Sequence, residues 1–232
     1  MNYKLRRRLY SQNFLRNREL IRKLIRRASI GKKDLVLEIG PGYGVITQEL
    51  LEVVGKVIAV ERDPALHKQL LNKFRFAKNL KLHNGDFLDF PLPNHPYKVF
   101  ANIPFAITSD IFKKLTGYTN LSEAYLIVQK EAAFKFIGMP YDIKNTMMAT
   151  LLKPWFEIDI LWKFEINDFI PKPSVSIVMM RVKRINNPII PENERGLFRD
   201  FIIYSYSRFK VAHIVFEKWI ERFNYFKRVS GE

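Results

Sequence analysis

The feature that most constrains the fold is a regular alternation of short apolar runs with segments of helical periodicity. Short apolar runs that end at glycines or polar residues are typical of buried parallel strands. We predict such strands at 35–39, 56–60, 80–83, 98–101 and 124–128. Helical segments are predicted between them, at 45–54, 64–76 and 109–115. Strands and helices in this order predict a doubly wound α/β sheet.

The ends of the chain add a basic helix, two more strands and a helical tail. Residues 12–30 have apolar positions at helical spacing, whereas 156–164 and 174–182 are strand-like and predict a terminal antiparallel pair. The composition changes after Arg184, where Asn186 to Pro188 and Pro191 indicate a turn, and 196–228 is aromatic, basic and helical in pattern. We therefore expect a mostly parallel seven-stranded domain over 1–184 and a small helical extension over 185–232.

The charge of the chain favours a polyanionic partner. Thirty-nine Lys and Arg against 23 Asp and Glu give a net charge of +16. Residues 1–27 contain ten basic residues against Glu19 alone. Such an imbalance favours a nucleic-acid surface, because each neutralised phosphate releases condensed counterions. A solvated basic helix is the simpler alternative, and no lipidation or amphipathic motif supports a membrane surface.

Other compositional features exclude several classes of protein. The chain has no cysteine, which excludes disulfide scaffolds, cysteine-held zinc or iron–sulfur sites and cysteine nucleophiles. Its four histidines have no metal-ligand spacing, so no metal is expected. No apolar run is long enough to span a membrane, and no signal-peptide pattern is present. We therefore expect a soluble, cytoplasmic protein.

Three consecutive strand ends carry residues suited to an adenosine-containing ligand. Glycines at Gly40, Gly42 and Gly44 allow a sharp turn and a close approach of the backbone to a ligand. Glu61 ends the next strand, where a carboxylate accepts hydrogen bonds from ribose hydroxyls. Asp86 follows the third strand and suits an adenine amino group. The pattern is G-x-G-x-G and lacks the lysine of a phosphate-binding loop.

The segment Asn102-Ile103-Pro104-Phe105, at the end of the fourth strand, predicts chemistry on an exocyclic amine. The lone pair of an adenine amino group is delocalised into the ring, so the group is a poor nucleophile. The Asn102 oxygen and a nearby backbone carbonyl would hold its two N–H groups. Pro104 would fix the backbone, Phe105 would stack on the base, and an aromatic face suits a methyl-sulfonium cation.

Four segments in this order resemble the rRNA adenine dimethyltransferases, namely 11–15, 38–44, Asn102–Phe105 and 169–175. That family contains the erythromycin-resistance (Erm) enzymes of the large ribosomal subunit and the KsgA enzymes of the small subunit. The resemblance implies a Rossmann-like class I methyltransferase fold, S-adenosylmethionine as cofactor and rRNA as partner. This chain has Phe105 where the family often has Tyr.

The resemblance also implies roles for individual residues. Asn13 and Leu15 would lie beside the cofactor, Gly40 and Gly42 would admit its methionine part, and Phe87 with Asp86 would flank its adenine. Asn102 would contact both the cofactor and the target amine. Phe105 and Phe169 would sandwich a flipped-out adenine. We assign RNA binding to basic residues near both ends of the chain and to one in the 169–175 segment, namely Arg6, Arg7, Arg8, Arg16, Arg208 and Lys210, with Lys172 in that segment.

Within the family we favour the Erm branch. Segments 105–108 and 154–157 and the pair Lys183-Arg184 followed by Pro188 look more like Erm sequences, whereas 129–131 is closer to KsgA. We therefore expect one or two methyl groups to be transferred to an adenine of 23S rRNA by a monomeric enzyme that confers macrolide resistance. The alternatives are a KsgA-type 16S rRNA enzyme, an adenine DNA methyltransferase and a non-catalytic binding protein.

Overall fold

The computed structural model describes residues 14–15, 17–117, 120–138, 145–209, 211 and 213–230. Its strands are β1 (Phe14–Leu15), β2 (Leu35–Ile39), β3 (Lys56–Glu61), β4 (Leu80–Asn84), β5 (Tyr97–Asn102), β6 (Leu121–Gln129), β7 (Phe156–Lys163), β8 (Phe169–Ile170) and β9 (Ile177–Arg184). Its α-helices are α1 (Arg18–Arg27), α2 (Val45–Val53), α3 (Pro64–Lys73), α4 (Thr108–Thr116), α5 (Lys130–Ile137), α6 (Met147–Leu152), α7 (Arg195–Arg208) and α8 (Phe216–Ser230).

The main sheet has seven strands in the order β4-β3-β2-β5-β6-β9-β7. The pairs β2–β3, β3–β4, β2–β5 and β5–β6 are parallel. The Lys130 N–H donates to the Ser176 carbonyl at 2.9 Å and the Phe164 N–H to the Ile177 carbonyl at 3.0 Å. These bonds join the ends of β6 and β7 to the start of β9, so β9 runs antiparallel to both. The predicted mostly parallel α/β fold and the terminal antiparallel pair are confirmed.

The central parallel strands form because their apolar residues are buried on both faces of the sheet. All five residues of β2 are buried, as are Val57 to Glu61 in β3. Helix α1 covers one face with Ile21, Leu24 and Ile25, each at most 1% exposed. Burying one such side chain fully contributes roughly 1.5–3 kcal/mol, which holds this short helix in place.

Helix α1 shows how local sequence sets an element boundary. The Asn17 side chain accepts a hydrogen bond from the Leu20 N–H at 3.1 Å, and this N-cap starts the helix at Arg18. The basic helix expected within 12–30 is therefore confirmed with narrower bounds. Its basic residues lie on the faces that the apolar residues leave free.

Contacts within the chain group the residues into two compact units. One unit comprises the described residues up to Lys130 together with Ile160–Val182, and the other comprises Glu131–Asp159 and Lys183 onward. The second unit has an aromatic core in which the Phe198 ring lies 5.8 Å from Trp155 and 5.1 Å from Phe223. Helices α5 and α6, which the sequence pattern did not predict, belong to this unit with α7 and α8. None of the helices described here is long and apolar enough to cross a membrane.

Candidate active site

The glycine-rich loop after β2 has the backbone conformation that its sequence predicts. Gly40, Gly42 and Gly44 have φ angles of +65°, +60° and +72°, which residues with a Cβ rarely adopt. A Cβ on Gly42 would lie 2.6 Å from the Phe14 ring, and this ring lies 4.9 Å from that of Tyr43. The loop is therefore packed against β1 on one side. A Cβ on Gly40 would meet no atom within 4 Å, so open space adjoins the loop there.

Glu61 connects this loop to the end of β3. Its carboxylate accepts hydrogen bonds from the Gly42 N–H at 2.9 Å and the Asp63 N–H at 2.8 Å. The side chain is 1% exposed, and burial raises its pKa although these N–H donors oppose the rise. A carboxylate has about four acceptor positions, so capacity for ribose hydroxyls remains after the two backbone bonds.

The loop after β4 supplies Asp86 and Phe87. The Asp86 carboxylate accepts from the Leu88 N–H at 2.9 Å and lies 3.3 Å from the Arg62 guanidinium. Phe87 is 4% exposed, and the Lys114 ammonium lies 5.4 Å from its ring centroid. Lys114 also donates to the Leu88 carbonyl at 2.6 Å. Burial lowers the pKa of Lys114, and the carboxylates of Asp89 and Asp86 oppose this change.

A cavity opens between these loops and the segment that follows β5. Its lining residues are Ile39, Gly40, Val60, Glu61, Arg62, Gly85, Asp86, Phe87, Pro104, Ala106 and Ile107. A Cβ on Gly85, like one on Gly40, would meet nothing within 4 Å. These features suit the chemical groups of S-adenosylmethionine. The cavity has glycines that face open space, a buried carboxylate at one strand end, and an acid beside an aromatic ring at the next.

The Asn102 segment lies at the end of β5, next to this cavity. Asn102 is half-buried and pairs with Ile127 in β6, while Ile103 is 2% exposed. Pro104 has φ −62° and precedes a turn of 3-10 helix over Phe105–Ile107. The half-buried Phe105 packs against the apolar core. Five of the predicted site residues thus line one cavity, namely Gly40, Glu61, Asp86, Phe87 and Pro104. Asn102 lies next to this cavity, at the end of β5 and two residues before Pro104.

Two motifs that lie far apart in the sequence pair directly. Strand β1 runs antiparallel to β8, with Phe14 opposite Ile170 and Leu15 opposite Phe169. Leu15 is 4% exposed and Phe169 is 1% exposed, and the Phe169 ring lies 5.3 Å from Phe164. Leu15 and Phe169 thus face the core in this structure. Stacking of Phe169 on a base stays a prediction, and it requires the ring to become accessible.

Of the basic residues assigned to RNA, two can be placed. Lys172 is exposed in the first unit, and Arg208 is exposed in the second with its guanidinium 5.7 Å from the Tyr204 ring. Five others lie outside the described residues, as does the cofactor candidate Asn13; they are Arg6, Arg7, Arg8, Arg16 and Lys210. Among the described residues no three His, Asp or Glu side chains cluster as a metal site.

Glu38 is a buried carboxyl of the site that was not recognised from the sequence as a functional group of its own. It lies in β2, two residues before Gly40, and is 1% exposed. Burial raises its pKa to about 8; polar groups of Thr47 oppose the rise, and the carboxylate of Glu61 adds to it. A buried carboxyl inside an apolar run was the available signal, because such groups are rarely fully buried without a role.

Comparison with known proteins places these features in a family. Residues 3–206 match the model of the ribosomal RNA adenine dimethylase family. A relative from Bacteroides fragilis named rRNA adenine N-6-methyltransferase is 31% identical over 92% of this chain and 74% of its own length. Ribosomal RNA small subunit methyltransferase A of Caldanaerobacter subterraneus is 29% identical over 83% of this chain and 75% of its own.

Solved structures give the same result. The 23S rRNA methyltransferase ErmE superposes with a TM-score of 0.75 at 28% identity, over 84% of this chain and 79% of that one. A dimethyladenosine transferase from Plasmodium falciparum superposes with a TM-score of 0.72 at 25% identity, over 84% of this chain and 71% of that one. The chain therefore belongs to the ribosomal RNA adenine dimethylase family and is an S-adenosylmethionine-dependent rRNA adenine N6-methyltransferase.

Proposed function

We propose that the enzyme methylates an adenine of large-subunit (23S) rRNA. The cavity next to the Asn102 segment supports methyl transfer to an adenine, and the observation that carries the choice of the large subunit is the likeness to the 23S rRNA methyltransferase ErmE. The superposition on ErmE and the Erm-like segments 105–108 and 154–157 support the large subunit as its target. The relatives named as small-subunit enzymes favour a second candidate, methylation of 16S rRNA during ribosome assembly.

We assign the cofactor contacts to the residues around the cavity. Glu61 would hold the ribose, Asp86 and Phe87 would flank the adenine, and Gly40 would admit the methionine part. S-adenosylmethionine, when bound, supplies a methyl group activated by the positive charge on its sulfur. Arg62 holds one oxygen of Asp86 and the Leu88 N–H holds the other, so this carboxylate is oriented before any ligand binds.

The Asn102 segment would position the target base. The side-chain oxygen of Asn102 accepts from one N–H of the exocyclic amine, and a neighbouring backbone carbonyl accepts from the other. This orientation directs the nitrogen lone pair out of the ring plane, and Phe105 stacks on the base. The methylated ammonium is acidic and loses a proton readily, so no strong general base is required. Catalysis comes from positioning and from the exclusion of water.

Replacing Asn102 tests this assignment. Asn102→Ala removes the acceptor, so we expect methyl transfer to be lost while calorimetry still detects cofactor binding of nearly normal affinity. Asn72→Ala, on the exposed face of α3, is the matched control and retains full activity. Full activity of Asn102→Ala would refute the role of this side chain.

We further propose that the enzyme works as a cytoplasmic monomer and confers macrolide resistance by modifying the drug-binding region of the ribosome. Expression in a macrolide-sensitive bacterium should raise the inhibitory concentration of erythromycin, and expression of Asn102→Ala should not. An unchanged inhibitory concentration with both proteins, in cells where the wild type is abundant and folded, would favour the small-subunit candidate.

A further inference from the structure

Helix α1 presents two basic faces, and the fold neutralises only one of them. The Nε atoms of Arg18 and Arg22 lie 2.6 and 2.5 Å from the two carboxylate oxygens of Glu49. Glu49 is 1% exposed. Burial by itself raises its pKa, but the hydrogen bonds from the two arginines outweigh burial and lower the value. These two cations therefore serve the packing of α1 on α2.

The other face carries Lys23 and Arg27, which contact an aromatic ring instead of a carboxylate. The Lys23 ammonium and the Arg27 guanidinium each lie 4.8 Å from the centroid of the Trp162 ring. A cation over an aromatic face is held in place but is not neutralised. In the part of the chain that the structure describes, Lys23, Arg26 and Arg27 form no ion pair, and all three are exposed.

This face lies at the edge of the sheet that carries the catalytic segment. Trp162 belongs to the terminal strand β7, two residues before Phe164, and Phe164 is bonded to the start of β9. The N–H of Lys130, which directly follows β6, donates to the carbonyl of Ser176, the residue before β9. Strand β6 pairs with β5, which ends at Asn102. The unneutralised cations thus lie beside the end of β7. This strand end is at the same end of the sheet as Asn102 and is three strands away from β5.

We propose that Lys23, Arg26 and Arg27, ordered by Trp162, bind the phosphate backbone of the rRNA substrate near the adenine that is methylated. The rRNA substrate is taken from the proposed function, on which this inference rests. The inference adds the protein surface that would hold this RNA. Phosphate contacts fix the register of a nucleic acid on a protein without reading its sequence. An aromatic ring that pre-orders two cations reduces the side-chain entropy lost when the backbone binds.

The salt dependence of RNA binding tests this surface independently of methyl transfer. A fluorescently labelled RNA hairpin is titrated with the cofactor-free protein at several NaCl concentrations, and binding is measured by anisotropy. For the double variant Lys23→Gln/Arg27→Gln, the slope of log affinity against log salt should decrease by about 1.4–1.8, because each phosphate contact contributes about 0.7–0.9. Affinity at low salt should fall about tenfold.

The matched control removes two positive charges elsewhere. Lys68→Gln/Lys78→Gln changes exposed lysines on and after α3 and should leave the slope at its wild-type value. Arg26→Gln is a second test, since Arg26 makes no ring contact or ion pair within the described structure and its loss should not affect folding. This variant should lower the slope by about 0.7–0.9.

A wild-type slope in both the double variant and Arg26→Gln would overturn the proposal. An equal decrease of the slope in the control Lys68→Gln/Lys78→Gln would also overturn it. A lower melting temperature of the double variant with an unchanged slope would show that the cations only pack α1 on the sheet. The hairpin assay requires no methylation. If the slope decreases as expected but no label enters 23S rRNA, the surface assignment stands and the proposed target fails.

Discussion

Replacing Glu38 by glutamine tests the electrostatics of the loop that would hold the cofactor. The carboxyl is buried in β2 with a pKa of about 8, against an ordinary value of 4.5. Each tenfold difference in proton affinity between the folded and unfolded chain corresponds to about 1.4 kcal/mol. Full ionisation of Glu38 in the folded protein therefore costs about 5 kcal/mol of folding free energy.

The sign of the pH dependence follows from the raised pKa. Well below pH 4.5 the carboxyl is protonated in both states and costs nothing. As the pH rises, the unfolded chain ionises first, so stability falls until the folded carboxyl also ionises near pH 8. Between pH 5 and pH 8 this group alone should reduce the free energy of unfolding by about 3–4 kcal/mol. Glutamine stays neutral and removes this loss.

The assay is urea unfolding of the cofactor-free protein at pH 5, 6.5 and 8. Glu38→Gln should exceed the stability of the wild type by about 1 kcal/mol at pH 5 and by about 4 kcal/mol at pH 8. Glu52→Gln, which changes an exposed carboxylate on α2, is the control and should follow the wild-type profile. Parallel profiles for the wild type and Glu38→Gln would refute the argument that Glu38 is held neutral by burial.

Three further substitutions test the geometry around the cavity. Glu61→Gln presents an NH₂ group to a backbone N–H and should weaken cofactor binding at least about tenfold by calorimetry; unchanged binding would contradict its role. Lys114→Met removes the hydrogen bond from α4 to the Leu88 carbonyl and the cation over the Phe87 ring, which lines the cavity, and should raise the KM for the cofactor several-fold; the adjacent, exposed Lys113→Met should leave KM unchanged. Gly42→Ala forces a Cβ to 2.6 Å from the Phe14 ring at φ +60° and should destabilise the protein by about 1–3 kcal/mol in thermal unfolding; a wild-type melting temperature would show that the loop can relax.

Local sequence patterns were sufficient to predict most strands of the sheet. Apolar runs such as Leu35–Ile39 predict buried strands because parallel strands are covered on both faces. The strand-end positions of Glu61 and Asp86 followed from the same alternation, and the cavity confirms that they lie together. Helix α6, Met147–Leu152, was not predicted because a six-residue helix gives too little periodicity to detect.

Features set by tertiary contacts could not be predicted. The pairing of β1 with β8 depends on segments far apart in the chain, and it buries Phe169 where the motif suggested an exposed ring. The sequence does not distinguish the cations of α1 from one another, but in the fold Glu49 neutralises Arg18 and Arg22. The expected boundary after Arg184 stays a prediction, while contacts group the helical tail with residues 131–159.

The most direct test of the proposed target is methyl transfer from radiolabelled S-adenosylmethionine into protein-free 23S rRNA, 16S rRNA and small-subunit assembly particles, followed by mapping of the modified base. We predict label at N6 of an adenine in the peptidyl-transferase region of 23S rRNA. Label only in 16S rRNA or in small-subunit particles would contradict this account and assign the enzyme to the small subunit.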